Sequence, residues 1–146
     1  MSDRQDNGFI LQVRRNAVAL ISLAVAVTAL TYNTWRNELT EYNRNQRAAG
    51  FEILNELARL QLTADILHYG GERIAETPIR GWARVLLIRD LARIMPTDVQ
   101  SAADDLYATW QKYWEGLGRS QASVEAVTDA IERARQVVLN RLRSLE

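Results

Sequence analysis

His68 is the chain's only histidine, and cysteine is absent. Asp65 stands three residues before it and Glu72 four after, spacings that put all three on one side of a helix. A carboxylate-x-x-His pair is half of the ligand set of di-iron helical bundles, where carboxylate oxygens and an imidazole nitrogen hold the metal. Those sites use the pair twice. One histidine supplies one pair, so a complete site would need a second copy of the chain. His68 is therefore read as a surface or capping residue near a helix end, where a basic group suits the helix dipole. A Ser-His-Asp arrangement would also have to use His68, and no Ser lies in a strand-turn-helix context. Without cysteine there is no thiol nucleophile, disulfide or thiolate metal site. Gly70-Gly71 and Gly116-Leu117-Gly118 lack the flanking pattern of a phosphate-binding loop. Asp104-Asp105 reads as a solvated helix face. The expectation is a chain with no catalytic set, no cofactor and no metal.

Three other groupings suit contact. Ala19, Ser22, Ala26, Ala29 and Asn33 recur at 3-4-3-4 spacing, a small-residue face that lets two helix backbones approach in lipid, with Asn33 able to add an interhelical hydrogen bond. Trp82, Tyr107, Trp110 and Trp114 form the second grouping, with Tyr113 beside them. Core packing is the first reading, and a ligand pocket or partner surface is the second, because Tyr and Trp serve interfaces well. The third is a polar run, Asn33 to Arg47, containing Asn37, Glu38, Glu41, Asn43, Arg44, Asn45 and Gln46. It reads as a solvated stalk available to a partner, and Ala48-Ala49-Gly50 at its end permits close helix contact.

Asn33, Trp35 and Glu38 form an Asn-x-Trp-x-x-Glu pattern where an apolar run gives way to this polar one. In this the chain resembles bacterial single-pass membrane proteins with no assigned activity, whose corresponding stretch reads Asn-Asn-Trp-Asn-Glu. Thr34, Arg36 and Asn37 depart from that pattern. The likeness covers the apolar run and about the next 20 residues. It implies only that the larger domain lies outside the cytoplasm.

The elements that must carry these groups begin with residues 16–35, which hold no charge over 20 residues. As a helix this stretch is about 30 Å long, the thickness of a bilayer core. Arg14 and Arg15 bound one end, and Tyr32 and Trp35 stand at the other, where amphipathic rings prefer the headgroup layer. Ala24-Val25-Ala26 and Val27-Thr28-Ala29 resemble signal-peptide cleavage sites. The preceding tail, however, is long and carries Asp3 and Asp6, and the apolar run continues into the aromatic pair, so a permanent anchor is expected. Three Arg flank each side (4, 14 and 15; 36, 44 and 47). The adjacent pair at 14 and 15 tips the orientation toward a cytoplasmic N-terminus and a periplasmic domain.

Beyond the anchor, the spacing of Ile53, Leu57, Leu60, Ala64 and Leu67 extends the same helix with an apolar stripe as far as Gly70-Gly71. A second helix is expected from Thr77-Pro78 to just before Pro96, with Val85-Leu86-Leu87-Ile88 wide enough to be buried on two sides. A third begins at Thr97 as cap and carries Val99, Ala103, Leu106, Trp110, Tyr113 and Leu117. A fourth starts between Ser120 and Ser123 and carries Val124, Val127, Ile131, Ala134, Val138, Leu142 and Leu145. Short connections make neighbours antiparallel. The fold class is all-α: a tail (1–15), a transmembrane helix (16–35), and an antiparallel bundle of about four helices (36–146) continuing from it.

Lys plus Arg and Asp plus Glu both number 18, so nothing in the balance points to nucleic acid. The expected function is a non-catalytic scaffold or accessory subunit tethered to the inner membrane, working on the lipid bilayer with a membrane-protein partner or as a homo-oligomer. The alternative is a sensory or small-ligand-binding bundle.

Overall fold

The computed structural model describes the backbone of residues 3–70 and 78–145, and side chains from residue 15 onward within those ranges. Four α-helices and no strand occur among the described residues. Helix α1 runs Asp3–Tyr69, 67 residues without a break. Neither the apolar run nor the polar run after it contains a proline, and Thr28, Thr31 and Thr40 turn their hydroxyls onto the carbonyls four residues back at 2.8–2.9 Å. That geometry satisfies polar atoms within the helix itself. The chain separates into two compact units, residues up to Tyr42 and Asn43–Glu146.

The second unit is the bundle. Its elements are α1 from Asn43 onward, α2 (Pro78–Ala92), α3 (Thr97–Tyr113), a 3-10 turn (Trp114–Gly116) and α4 (Gln121–Arg143). Gly70 follows the end of α1, with its N–H donating to Ile66 O at 2.9 Å. Gly71 and the expected cap Thr77 lie outside the described residues. The turn after α2 is tightened by Met95 N–H on Ala92 O, and Gln100 Nε2 caps the Met95 carbonyl. The α3 cap is Pro96 and not Thr97, which is the first helical residue. The ring of Pro96 already fixes φ near its −61°, and the extended ψ of 163° turns its carbonyl to accept from Val99 and Gln100. At α4 the expected signal operates, since Ser120 Oγ accepts from Ser123 N–H at 3.3 Å.

Cross-helix bonds fix the neighbours. Gln46 meets Arg141, Gln61 meets Thr128, and His68 meets Leu117 and Gln121, so α1 and α4 run antiparallel. Glu56 bonds Arg84 across α1 and α2, and Arg89 bonds Asp104 across α2 and α3. Packing of α3 on α4 closes the ring. The core is the set of stripes expected from helical spacing: Ile53, Leu57, Leu60 and Ala64 on α1; Val99, Ala103, Leu106 and Trp110 on α3; Val124, Val127, Ile131, Ala134 and Val138 on α4.

Helix α2 departs from the expectation of two-sided burial. It buries Gly81, Val85, Ile88 and Ala92, while Leu86 and Leu87 remain 44% and 41% exposed. A ring of four helices has one interior. The 3.6-residue period turns 81, 85, 88 and 92 toward it and 79, 83, 86 and 90 away from it.

Candidate functional site

In the first unit the residues of the small face, Ala19, Ser22, Ala26, Ala29 and Asn33, are all exposed. Val18, Leu20, Ile21, Leu23, Val25, Val27 and Leu30 occupy the rest of the circumference, each more than half exposed. The stretch is therefore apolar on every side and covered on none. Ile21, Ala24, Val25, Thr28, Ala29 and Tyr32 outline a shallow hollow, to which the small-residue face contributes only Ala29. Tyr32 and Trp35 stand one turn apart with ring centroids at 6.3 Å. Arg15 is exposed; the side chain of Arg14 lies outside the described residues.

The aromatic grouping divides. Trp82 on α2 meets Tyr107 at 5.7 Å and Trp114 at 6.3 Å, both edge to face, along a half-buried seam. Arg89 lies 4.6 Å from the centroid of the Tyr107 ring, an arrangement in which cation and ring quadrupole attract. Trp110 is turned inward and is 0% exposed. Its six-membered ring presses on the backbone of Gly81, so that a Cβ there would overlap Cζ2 and Cη2. On its α2 side Trp110 thus fills the core and borders no open space.

His68 joins the end of α1 to the connection between α3 and α4. Nδ1 lies 2.8 Å from Leu117 O and Nε2 lies 3.1 Å from Gln121 Oε1, while the ring packs edge-on to Tyr69. Asp65 accepts from Gln61 at 2.8 Å. Glu72, the third member of the expected helix face, lies outside the described residues. Among the described residues, no three His, Asp or Glu side chains converge to hold a metal.

Gln46, Glu56, Thr63 and Ser123 are the buried polar residues among those described, and the first two make cross-helix bonds that periodicity passes over. Glu56 is 3% exposed and accepts from Arg59 Nη1 at 2.8 Å and Arg84 Nη1 at 3.1 Å. Arg59 and Arg84 are themselves 53% and 23% exposed, so the loss of one leaves Glu56 paired with the other, and only the loss of both leaves a buried carboxylate uncompensated. Gln46 is 1% exposed, and its Oε1 accepts from both Nε and Nη2 of Arg141 at 3.0 and 2.7 Å. Arg47 Nη2 donates to the carbonyl of Leu145 beside it. The last residues of the expected stalk, from Asn43 on, are therefore bundle residues, and Gln46 is the first of them to be buried. Ala49 and Gly50 are buried, with Leu142 seated on Gly50; a Cβ there would come within 2.8 Å of Leu142 Cδ2.

Comparison with known proteins finds no matching family model, no matching curated protein and no matching solved structure. Function must be argued from these groups alone.

The contact of Gly81 with Trp110 yields a sign reversal. On an exposed helix Gly→Ala stabilises by about 1 kcal/mol. Here Gly81→Ala should instead destabilise the bundle by about 1–3 kcal/mol through overpacking. Thermal unfolding of the full-length chain in detergent reads this directly. In a Trp110→Phe background, where the overlapping ring atoms are gone, the penalty should shrink; an unchanged penalty would show that the Trp110 ring is not its source.

Proposed function

We propose that this chain is a membrane-tethered, non-catalytic helical protein that acts as a scaffold or accessory subunit for other membrane proteins. The observation that carries this reading is the uncovered apolar helix near the N-terminus. Its best 18-residue window is 0% buried, which separates it from the core helix of a soluble domain. Anchoring concentrates weak contacts against neighbours in the same membrane, and Ala19, Ser22, Ala26, Ala29 and Asn33 supply a face for helix association. The inward packing of Trp110 against Gly81 speaks against an internal ligand chamber at that point. A sensory or ligand-binding role is the second reading. It draws on the half-buried seam of Trp82, Tyr107 and Trp114.

Light scattering of the full-length chain, extracted from its native membrane in mild detergent, tests the association face. The wild-type particle should exceed the mass of one chain, and Ala26→Leu with Ala29→Leu should return it to a single chain with helical content unchanged. Equal masses would remove the face from the account.

The Arg14–Arg15 pair and the resemblance noted above favour an inner-membrane location with the bundle on the outer side. Protease added to intact spheroplasts should then digest the bundle, and full protection would reverse the orientation.

A further inference from the structure

Within the bundle unit α1 carries two stripes. Ile53, Leu57, Leu60 and Ala64 form the buried one. The second lies on the other side of the helix, where Ala48, Phe51, Asn55, Ala58, Leu62 and Tyr69 follow at steps of three and four with a last step of seven. All six are exposed, and the large members Phe51, Leu62 and Tyr69 remain 64%, 58% and 69% exposed. From Ala48 to Leu62 the stripe itself holds no charge. Exposed Arg44 bounds it at one end, and Asp65, bonded to Gln61, bounds it at the other. In heptad terms Ala48, Asn55 and Leu62 share position a, while Phe51 and Ala58 share position d. Charges stand on the two flanks. Exposed Arg47 lies on one, beside a groove of about 250 Å³ that Phe51, Leu139, Leu142 and Arg143 complete. Exposed Glu52 lies on the other, where the next charge, Arg59, is already bonded to Glu56.

We infer that this outward stripe docks on the same stripe of a second copy of the chain, the two helices parallel and in register. Charge complementarity selects that occupant and its direction. Arg47 and Glu52 are five residues apart on opposite flanks, the spacing at which the flank of one helix meets the facing flank of a parallel copy. Arg47 of each copy then meets Glu52 of the other, and two-fold symmetry makes the pair twice. An antiparallel pair that sets Phe51 against Leu62 brings Arg47 to Ile66 and Glu52 to Gln61 instead, and neither charge meets its opposite. Asn55 adds a second selection. At the central a position its amide is paired when it faces Asn55 of a copy, whereas an unrelated apolar helix leaves it without a partner. Ala48 and Ala58 let the backbones approach. Six residues a side is far below the 20–30 of a stable interface, so the contact depends on a tether that holds two copies at high local concentration. The inference therefore rests on the proposed association of the membrane spans.

Because the chain has no cysteine, disulfide formation at single introduced sites reads the face directly. The full-length protein carrying Ala48→Cys or Ala58→Cys is treated with a mild oxidant in mild detergent. Both variants should form disulfide-linked dimers, and Asp105→Cys on α3 should not. The two stripe sites are ten residues, or about 15 Å, apart along the helix, so an antiparallel pair can bring only one of them onto itself. Glu52→Arg should lower the cross-linked yield roughly fivefold, because a cation then faces Arg47 at both pairs. Phe51→Asp/Leu62→Asp should abolish it while thermal unfolding of the bundle is retained, since both side chains are exposed. Cross-linking at only one stripe site, at neither, or as strongly at Asp105→Cys overturns the inference. Light scattering of the unoxidised samples separates the causes. A mass above one chain without stripe cross-links removes this face and keeps the association of the spans. The mass of one chain, with no cross-links, removes both.

Discussion

Hydrocarbon on a helix surface is stable in water only when something covers it, and from Ala17 to Trp35 no described residue of this chain does. Each Leu, Ile or Val left in water forgoes about 1.5–3 kcal/mol relative to burial, and seven such side chains are exposed here on all sides of one helix. Inside lipid the same helix has every backbone group paired along its own axis, and the threonine hydroxyls at 28 and 31 are paired as well. The small residues, which cover least surface, then become the positions at which another helix can approach most closely.

The bundle obeys the opposite solvent, and its devices differ accordingly. Four apolar stripes share one interior, but stripes alone leave open how far one helix slides along another. Buried polar contacts resolve this. Glu56 gains its cross-helix partner only where Arg84 reaches it, and Gln46 Oε1 accepts from Arg141 only at one alignment of α1 with α4. His68, bonded to Leu117 O and Gln121, repeats the constraint at the far end of the same helix pair. Close packing at Gly50 and Gly81 adds steric limits to the polar ones. Polar groups buried in this way are costly when unpaired, which is how they select one register over its neighbours.

What was legible in the sequence was whatever repeats. Spacings of three and four located Ile53 to Ala64, Val99 to Trp110 and Val124 to Val138 in the core, and Pro78 and Ser120 marked helix starts. Illegible was whatever depends on a residue far away in the chain. Glu56 and Gln46 look like surface residues because their partners lie 28 and 95 positions on. The role of His68 depends on a carbonyl 49 residues away. The apolar run at 85–88 suggested two buried faces because hydrophobicity says nothing of how many neighbours a helix has. Trp82, Tyr107, Trp110 and Trp114 look alike by type and spacing, yet Gly81, against which Trp110 packs inward, carries no side chain to signal it.

All of this hangs on lipid as the permanent cover for residues 16–35. Membranes from cells making the untagged protein, washed with alkaline carbonate and followed by intact mass measurement, test that most directly. The account requires the washed membranes to retain a chain that still contains the whole apolar run. A polypeptide beginning after Ala26 or Ala29 and recovered in the soluble wash would contradict it.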